Sequence, residues 1–129
     1  MLVNSITEQV LKCAFKVHSE LGPGLLESAY QQCLHYEISK SGYFSQMEYP
    51  IPLIYEEVKL DYGYRIDIFV EKQVIIEVKA VEVLNDIHLA QVLTYLKMAN
   101  CQIGLLLNFN VLSLKHGIRR VINKHYKET

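Results

Sequence analysis

Two short runs separated by three residues constrain this chain more than any other feature. The run Gly63 to Val70 (GYRIDIFV) and the run Val74 to Ala80 (VIIEVKA) flank a polar break of Glu71, Lys72 and Gln73. β-Branched and aromatic residues on either side of such a break specify a β-hairpin with a three-residue loop. Pairing Val70 with Val74 sets Asp67 opposite Glu77 and Arg65 opposite Lys79. Side chains alternate across a strand, so Arg65, Asp67, Glu77 and Lys79 are expected on one face. Ile66, Ile68, Val70, Val74, Ile76 and Val78 take the other, which is wholly apolar. A hairpin with one such apolar face belongs in a covered sheet, and four charges on its other face need a physical reason.

The rest of the chain reads as helices around that hairpin. Ile6, Val10, Ala14, Val17 and Leu21 recur at helical spacing, with Ser5 as the expected N-cap and Glu8 completing a capping box. Gly22, Pro23 and Gly24 end this helix and start a second, from about Leu25 to Ser41. Met47, Tyr49, Ile51, Leu53 and Tyr55 then alternate as a strand. Pro50 and Pro52 cannot donate to a ladder, which places that strand at a sheet edge. Glu56 and Glu57 turn the chain into Val58–Val70. Asn85 and Asp86 cap a helix from about Ile87 to Met98, residues 102–109 form a buried strand, and a last helix is expected from about Ser113 to His125. The order is ααβββαβα, one α/β domain over residues 1–129.

Composition narrows the function class. Half of the 129 residues are hydrophobic and 21% are charged, enough for a sizeable core. A net charge of −1 argues against coating nucleic acid by charge alone, while leaving room for a local basic patch. No apolar run approaches a membrane span, and the first residues (MLVNSITE) lack the blocks of a secretory signal. Cys13, Cys33 and Cys101 are odd in number and set among apolar neighbours, as expected of reduced thiols in a cytoplasmic protein.

Two opposed carboxylates repel unless a cation or a proton lies between them. A hard divalent ion such as Mg²⁺ takes carboxylate oxygens and keeps positions for water and substrate phosphates. Lys79, two residues after Glu77, can then orient an attacking water. The ordinary alternative is a surface network in which Arg65–Asp67 and Glu77–Lys79 are exposed pairs of small energetic value. Glu27 and Tyr30, at i and i+3, share a helix face, although Glu27 near a helix N-terminus also fits a plain dipole partner. His88, Gln91 and Tyr95 form a polar stripe that either faces solvent or overlooks the strand ends, where Gln91 and Tyr95 would steady a phosphate or Lys79. His18 reads as a structural histidine. Lys115, Arg119, Arg120, Lys124 and Lys127 give the expected C-terminal helix a basic side, either solvated or facing a nucleic-acid backbone.

These residues also carry a resemblance. Gly24, Glu27 and Tyr30 match the signature of the GxxExxY proteins, a bacterial and archaeal group similar to the PD-(D/E)XK nuclease superfamily. The similarity runs from about Ile6 to Asn123 and includes Tyr64–Asp67 (YRID), Ile76–Lys79 (IEVK) and Gln91–Tyr95 (QVLTY). Ile66 stands where the superfamily name has proline. The resemblance implies a restriction-endonuclease-like core of order αβββαβ with a mixed central sheet, here with an extra N-terminal helix and a C-terminal helix. It implies that Asp67 and Glu77 bind Mg²⁺ or Mn²⁺, with the Val78 carbonyl as a further ligand and Glu27 completing the metal site. Lys79, Gln91 and Tyr95 become catalytic residues beside them. The expected activity is hydrolysis of phosphodiester bonds in DNA, or secondarily RNA. The rival expectation is a binding module, for nucleic acid or a protein partner, that keeps the fold without the chemistry. Small size and near-neutral charge suit work as a homodimer or with such a partner.

Overall fold

Helix α1 (Val3–Leu21) forms because Ile6, Val10, Cys13, Ala14 and Val17 fall on one face and are all buried. The computed structural model describes residues 2–128. The helix starts earlier than the sequence suggests. Leu2 is its N-cap, and the Leu2 carbonyl already accepts the Ser5 and Ile6 amides, so Ser5 and Glu8 lie inside the first turns instead of forming a capping box. Helix α2 (Glu27–Lys40) follows the Gly22–Leu26 turn and buries Tyr30, Leu34 and Ile38 at i, i+4, i+8.

Seven strands follow: β1 (Ser45–Pro50), β2 (Leu53–Tyr55), β3 (Val58–Leu60), β4 (Arg65–Val70), β5 (Val74–Lys79), β6 (Ile103–Asn108) and β7 (Ile118–Ile122). Five of them make the main sheet in the order β1-β4-β5-β6-β7, with β5 and β6 parallel and every other pair antiparallel. Helix α3 (Asp86–Ala99) makes the crossover between β5 and β6. Its start is a capping box: Asn85 Oδ1 accepts the His88 amide, and the His88 ring accepts the Asn85 amide. With the β2–β3 hairpin set aside, the order from α2 is the expected αβββαβ, preceded by α1.

The sheet divides two cores. Helices α1 and α2 pack on Ile68, Val70, Val74, Ile76, Val78, Leu105 and Leu107. Helix α3 covers the opposite side, where Val92, Tyr95 and Leu96 meet Phe69, Ile75 and Leu106. Each fully buried Leu or Ile is worth about 1.5–3 kcal/mol, so these two layers supply most of what holds the sheet in place. Ile66 departs from the expected face and joins the α3-side core with Ile51.

Three expectations are corrected. The alternation from Met47 to Tyr55 is not one strand. It breaks at Pro50–Pro52, so β1 is the sheet edge as expected while β2 leaves to pair with β3. Val58–Val70 likewise divides into β3 and β4, at residues 61–64. The C-terminal helix is not formed: residues 114–117 make a 3₁₀ turn and β7 pairs antiparallel with β6. The reason is tertiary. All six residues of β6 are buried, and its outer N–H and C=O groups would be left unpaired beside a helix.

Gly117 makes that turn possible. A Cβ there would collide with the Asn108 carbonyl oxygen, a backbone atom with little freedom to move. Gly117→Ala is therefore expected to lower the urea midpoint by the equivalent of about 1–3 kcal/mol. Were the segment helical, the same change would stabilise it, by up to about 1 kcal/mol.

Candidate active site

The hairpin pairs Val70 with Val74, Phe69 with Ile75 and Ile68 with Ile76, as the sequence suggests, and then opens. Beyond that rung β4 follows β1 and β5 follows β6, so the sheet forks at Asp67 and Glu77. The two carboxylates occupy the fork. The Val78 amide donates to Asp67 Oδ2 at 2.9 Å, and the Asp67 amide donates to Glu77 Oε2 at 2.9 Å. Each acid thus takes a backbone N–H from the other side of the fork, and its second oxygen has no protein donor among the described residues.

This is not a surface charge network. Glu77 is 3% exposed, and among the described residues the only ion pair within 4.0 Å is Lys16–Glu37, on the two N-terminal helices. Burial pushes the Asp67 carboxyl up to about 6; the Val78 amide opposes the rise and the charge of Glu48 adds to it. Glu77 rises further, to about 8, through burial first and the charge of Asp67 second. Lys79 pulls both down without touching either closely. The pair therefore favours a proton, or a cation in its place.

Other elements converge on the fork. Glu27, the first residue of α2, is exposed and reaches the end of β5, where its Oε2 accepts the Ala80 amide at 3.3 Å; its charge is felt at Asp67. Tyr30 is fully buried. Its hydroxyl donates to the Gly22 carbonyl at 2.6 Å and accepts the Leu25 amide at 3.1 Å, while its ring stacks on Phe109 at 4.7 Å. From α3, Tyr95 faces the acids: burial raises its phenol, and the charges of Glu77 and Asp67 add to the rise. Gln91 Nε2 donates to the Tyr95 hydroxyl at 3.4 Å. His88, the third member of the stripe, is used up in the helix cap. His18 is structural, its Nε2 donating to the Val111 carbonyl at 2.7 Å.

Three residues at the fork escaped sequence reasoning. Gln31 donates from α2 to the Asp67 carbonyl at 2.9 Å, holding the backbone where the strands part. It lies four residues after Glu27, a spacing that places the two on one helix face. Asn108 is 2% exposed and clamps the loop beyond Lys79, accepting the Val81 amide and donating to the Val81 carbonyl. Glu48 lies between Met47 and Tyr49, whose partners Ile68 and Ile66 flank Asp67, and adopts a φ of 53°, rare for a non-glycine residue. Only the fold brings Glu48 to the acids, and nothing in its local sequence marks it.

The basic residues do not form one stripe. Arg119 pairs with Leu106, which pairs with Glu77, so Arg119 lies in the same row two strands away, about 10 Å across the sheet. Lys124 and Lys127 follow the far end of β7, beside Ile103 instead of Lys79. Among the described residues no three His, Cys, Asp or Glu side chains gather closely enough to enclose a metal. The donor set nevertheless fits a hard divalent cation, since such an ion often takes only one or two carboxylates and draws its other ligands from water and substrate.

The sequence model of the PD-(D/E)XK nuclease superfamily matches residues 4–121 of the chain, which cover α1 through most of β7. No curated protein and no solved structure matches it. No helix among the described residues is long and apolar enough to cross a membrane.

An acid raised in the folded state binds its proton more tightly there than in the unfolded chain. Its stabilisation is complete below the ordinary carboxylate range and is lost as pH climbs through the folded values, here about 6 for Asp67 and about 8 for Glu77. Glu77→Gln keeps an oxygen for the Asp67 amide and removes the charge. In EDTA it is expected to stabilise the protein by on the order of 2 kcal/mol near pH 8.5, and by much less near pH 5. Urea titrations at the two pH values check this; an equal effect at both would show that Glu77 is not held protonated.

Proposed function

Because this chain belongs to the PD-(D/E)XK nuclease superfamily, we propose that it is a metal-dependent nuclease working at the Asp67–Glu77 fork. The observation that carries this reading is the carboxylate pair, Glu77 buried and Asp67 half-buried, each tied by one oxygen to a backbone amide across the fork. A pair held so rigidly in a dry setting, at a cost in the metal-free state, is explained by a cation that offsets its charge.

Asp67 and Glu77 would hold Mg²⁺ or Mn²⁺, with the Val78 carbonyl as a third oxygen and Glu27 acting directly or through water. The ion, when bound, neutralises charge on the scissile phosphodiester and lowers the pKa of a coordinated water. Lys79, at the end of β5, orients the attacking water by hydrogen bonding and offsets charge developing on the phosphate. The water oxygen bonds to phosphorus and loses a proton to solvent as the P–O bond to the leaving sugar breaks, and the sugar oxygen takes a proton from water, giving a phosphomonoester and a free hydroxyl. Gln91 donates to Tyr95, and together they steady the phosphate from the α3 side. The Gly24–Glu27–Tyr30 signature divides its labour. Tyr30 braces the turn between α1 and α2, and the braced turn delivers Glu27 to the strand end. We assign DNA as the substrate ahead of RNA, and the cytoplasm as the compartment, where Cys13, Cys33 and Cys101 remain free thiols.

The test is cleavage of single-stranded, double-stranded and branched DNA and of RNA, with Mg²⁺, Mn²⁺ or EDTA. Cutting should require the metal. Asp67→Ala should abolish it, and Lys79→Ala should reduce it by on the order of 10²–10⁴-fold with the fold intact. Cutting by either mutant at the wild-type rate would overturn the assignment. Nucleic-acid binding without cutting, unaffected by EDTA or by Asp67→Ala, would make the protein a binding module instead.

A further inference from the structure

Beside the fork lies a slot of which the nuclease reading uses only one edge, the Gln91–Tyr95 pair. It is a cleft of about 210 Å³ between α3 and the segment leading into β4, lined by Leu53, Tyr64, Gln91, Thr94, Tyr95 and Met98. Its walls are aromatic and aliphatic, its edges carry an amide and hydroxyls, and none of its lining residues is charged. Beyond the Gln91–Tyr95 edge, the uncharged wall of Leu53, Tyr64, Thr94 and Met98 suits a flat, neutral, heteroatom-edged ring. Tyr95 forms part of the wall and is also the residue that senses Asp67 and Glu77, so slot and fork adjoin through one side chain. Tyr64 is 40% exposed and its ring is tilted 59° to that of Tyr95 with centroids 6.4 Å apart, leaving ring surface open for stacking. It stands three residues before Asp67, at most about 10 Å along the chain. The Ile51 amide, donating to the Tyr64 carbonyl at 2.9 Å, fixes its backbone. Tyr55 and Tyr62, 66% and 70% exposed, add open aromatic surface on and just after the β2–β3 hairpin.

We infer that this slot binds an unpaired nucleobase next to the scissile phosphate, making the substrate single-stranded or locally unpaired nucleic acid. Charge points the same way. A chain of net charge −1, whose C-terminal basic residues fall at both ends of β7 instead of along one stripe, has little net charge with which to hold an intact duplex. Base stacking on tyrosine supplies affinity without that surface, but only where bases are out of the duplex. The inference takes its reaction from the proposed nuclease, while the slot itself is defined independently of Asp67 and Glu77.

The test uses wild-type protein in EDTA with a short single-stranded DNA containing 2-aminopurine, and the same DNA in a blunt duplex. The single strand should bind at least about 10-fold more tightly, and its fluorescence should be quenched as the base stacks. Tyr64→Ala should lose about 10-fold in affinity together with the quench, whereas Tyr64→Phe, which keeps the ring, should retain both. Thr94→Tyr, on the exposed side of α3, should fill the slot and reproduce the loss without disturbing the fork. Equal affinity for duplex and single strand, no binding of either, or a Tyr64→Ala protein indistinguishable from wild type would each overturn the inference. The two readings fail separately. Metal-dependent cutting that ignores Tyr64 discards the slot and keeps the nuclease, while Tyr64-dependent stacking without any cutting keeps the slot and discards the nuclease.

Discussion

Two backbone amides decide where the chemistry of this protein can be. The Val78 amide is taken by the Asp67 carboxylate and the Asp67 amide by that of Glu77, at the point where β4 and β5 stop pairing. An unpaired amide buried in a sheet is costly, and so is a buried carboxylate; here each cancels part of the other's cost. The cancellation is incomplete, because both acids still rise well above the ordinary carboxylate range. What is left over is an electrostatic demand for positive charge at one place in the sheet.

The elements around the fork hold it open. Gln31 grips the Asp67 carbonyl from α2, Glu27 accepts the Ala80 amide, and Asn108 pins Val81 in the loop that follows. Tyr30 braces the Gly22–Leu25 turn from a fully buried position, so the direction of α2, and with it the reach of Glu27 and Gln31, is set by packing. On the other face α3 lies very close to the sheet. A Cβ at Gly104 would come within 2.7 Å of Val92 Cγ1, and this close approach brings Tyr95 to the acids. The site is thus framed from both sides by helices whose positions depend on the two cores.

In the proposed reading, the fork and the neighbouring slot divide the work of recognising a nucleic-acid strand. There the cation, Lys79 and the Gln91–Tyr95 edge would address phosphate, and the rest of the slot, with Tyr64, would address a base. A near-neutral chain has little to offer an intact duplex at long range, so in that reading short-range stacking would carry the discrimination.

The hairpin register, the three-residue loop and the apolar faces of α1, α2 and α3 were legible in the sequence, because a strand or helix must show its own period in the residues that it buries. Asp67, Glu77 and Lys79 stood out for the same reason, as charges on a hairpin with one wholly apolar face. The C-terminal strand was not legible. Residues 113–125 carry a basic, helix-compatible pattern, and only the unpaired edge of the buried β6 makes a strand of Ile118–Ile122 within them. Nor could Glu48, Gln31 and Asn108 be tied to the acids, since they come from elements distant in sequence that meet only when the sheet closes. Ile66 joins the α3-side core because Ile51, brought beside it by the chain beyond β1, packs there, a contact that residue type alone does not announce. The sequence by itself determined which segments are amphipathic and which carboxylates lie on the central hairpin, since these are local properties of residue order. Tertiary structure alone decided that the hairpin forks, that its acids are buried and what surrounds them, because those depend on hydrogen bonds and packing between segments far apart in the chain.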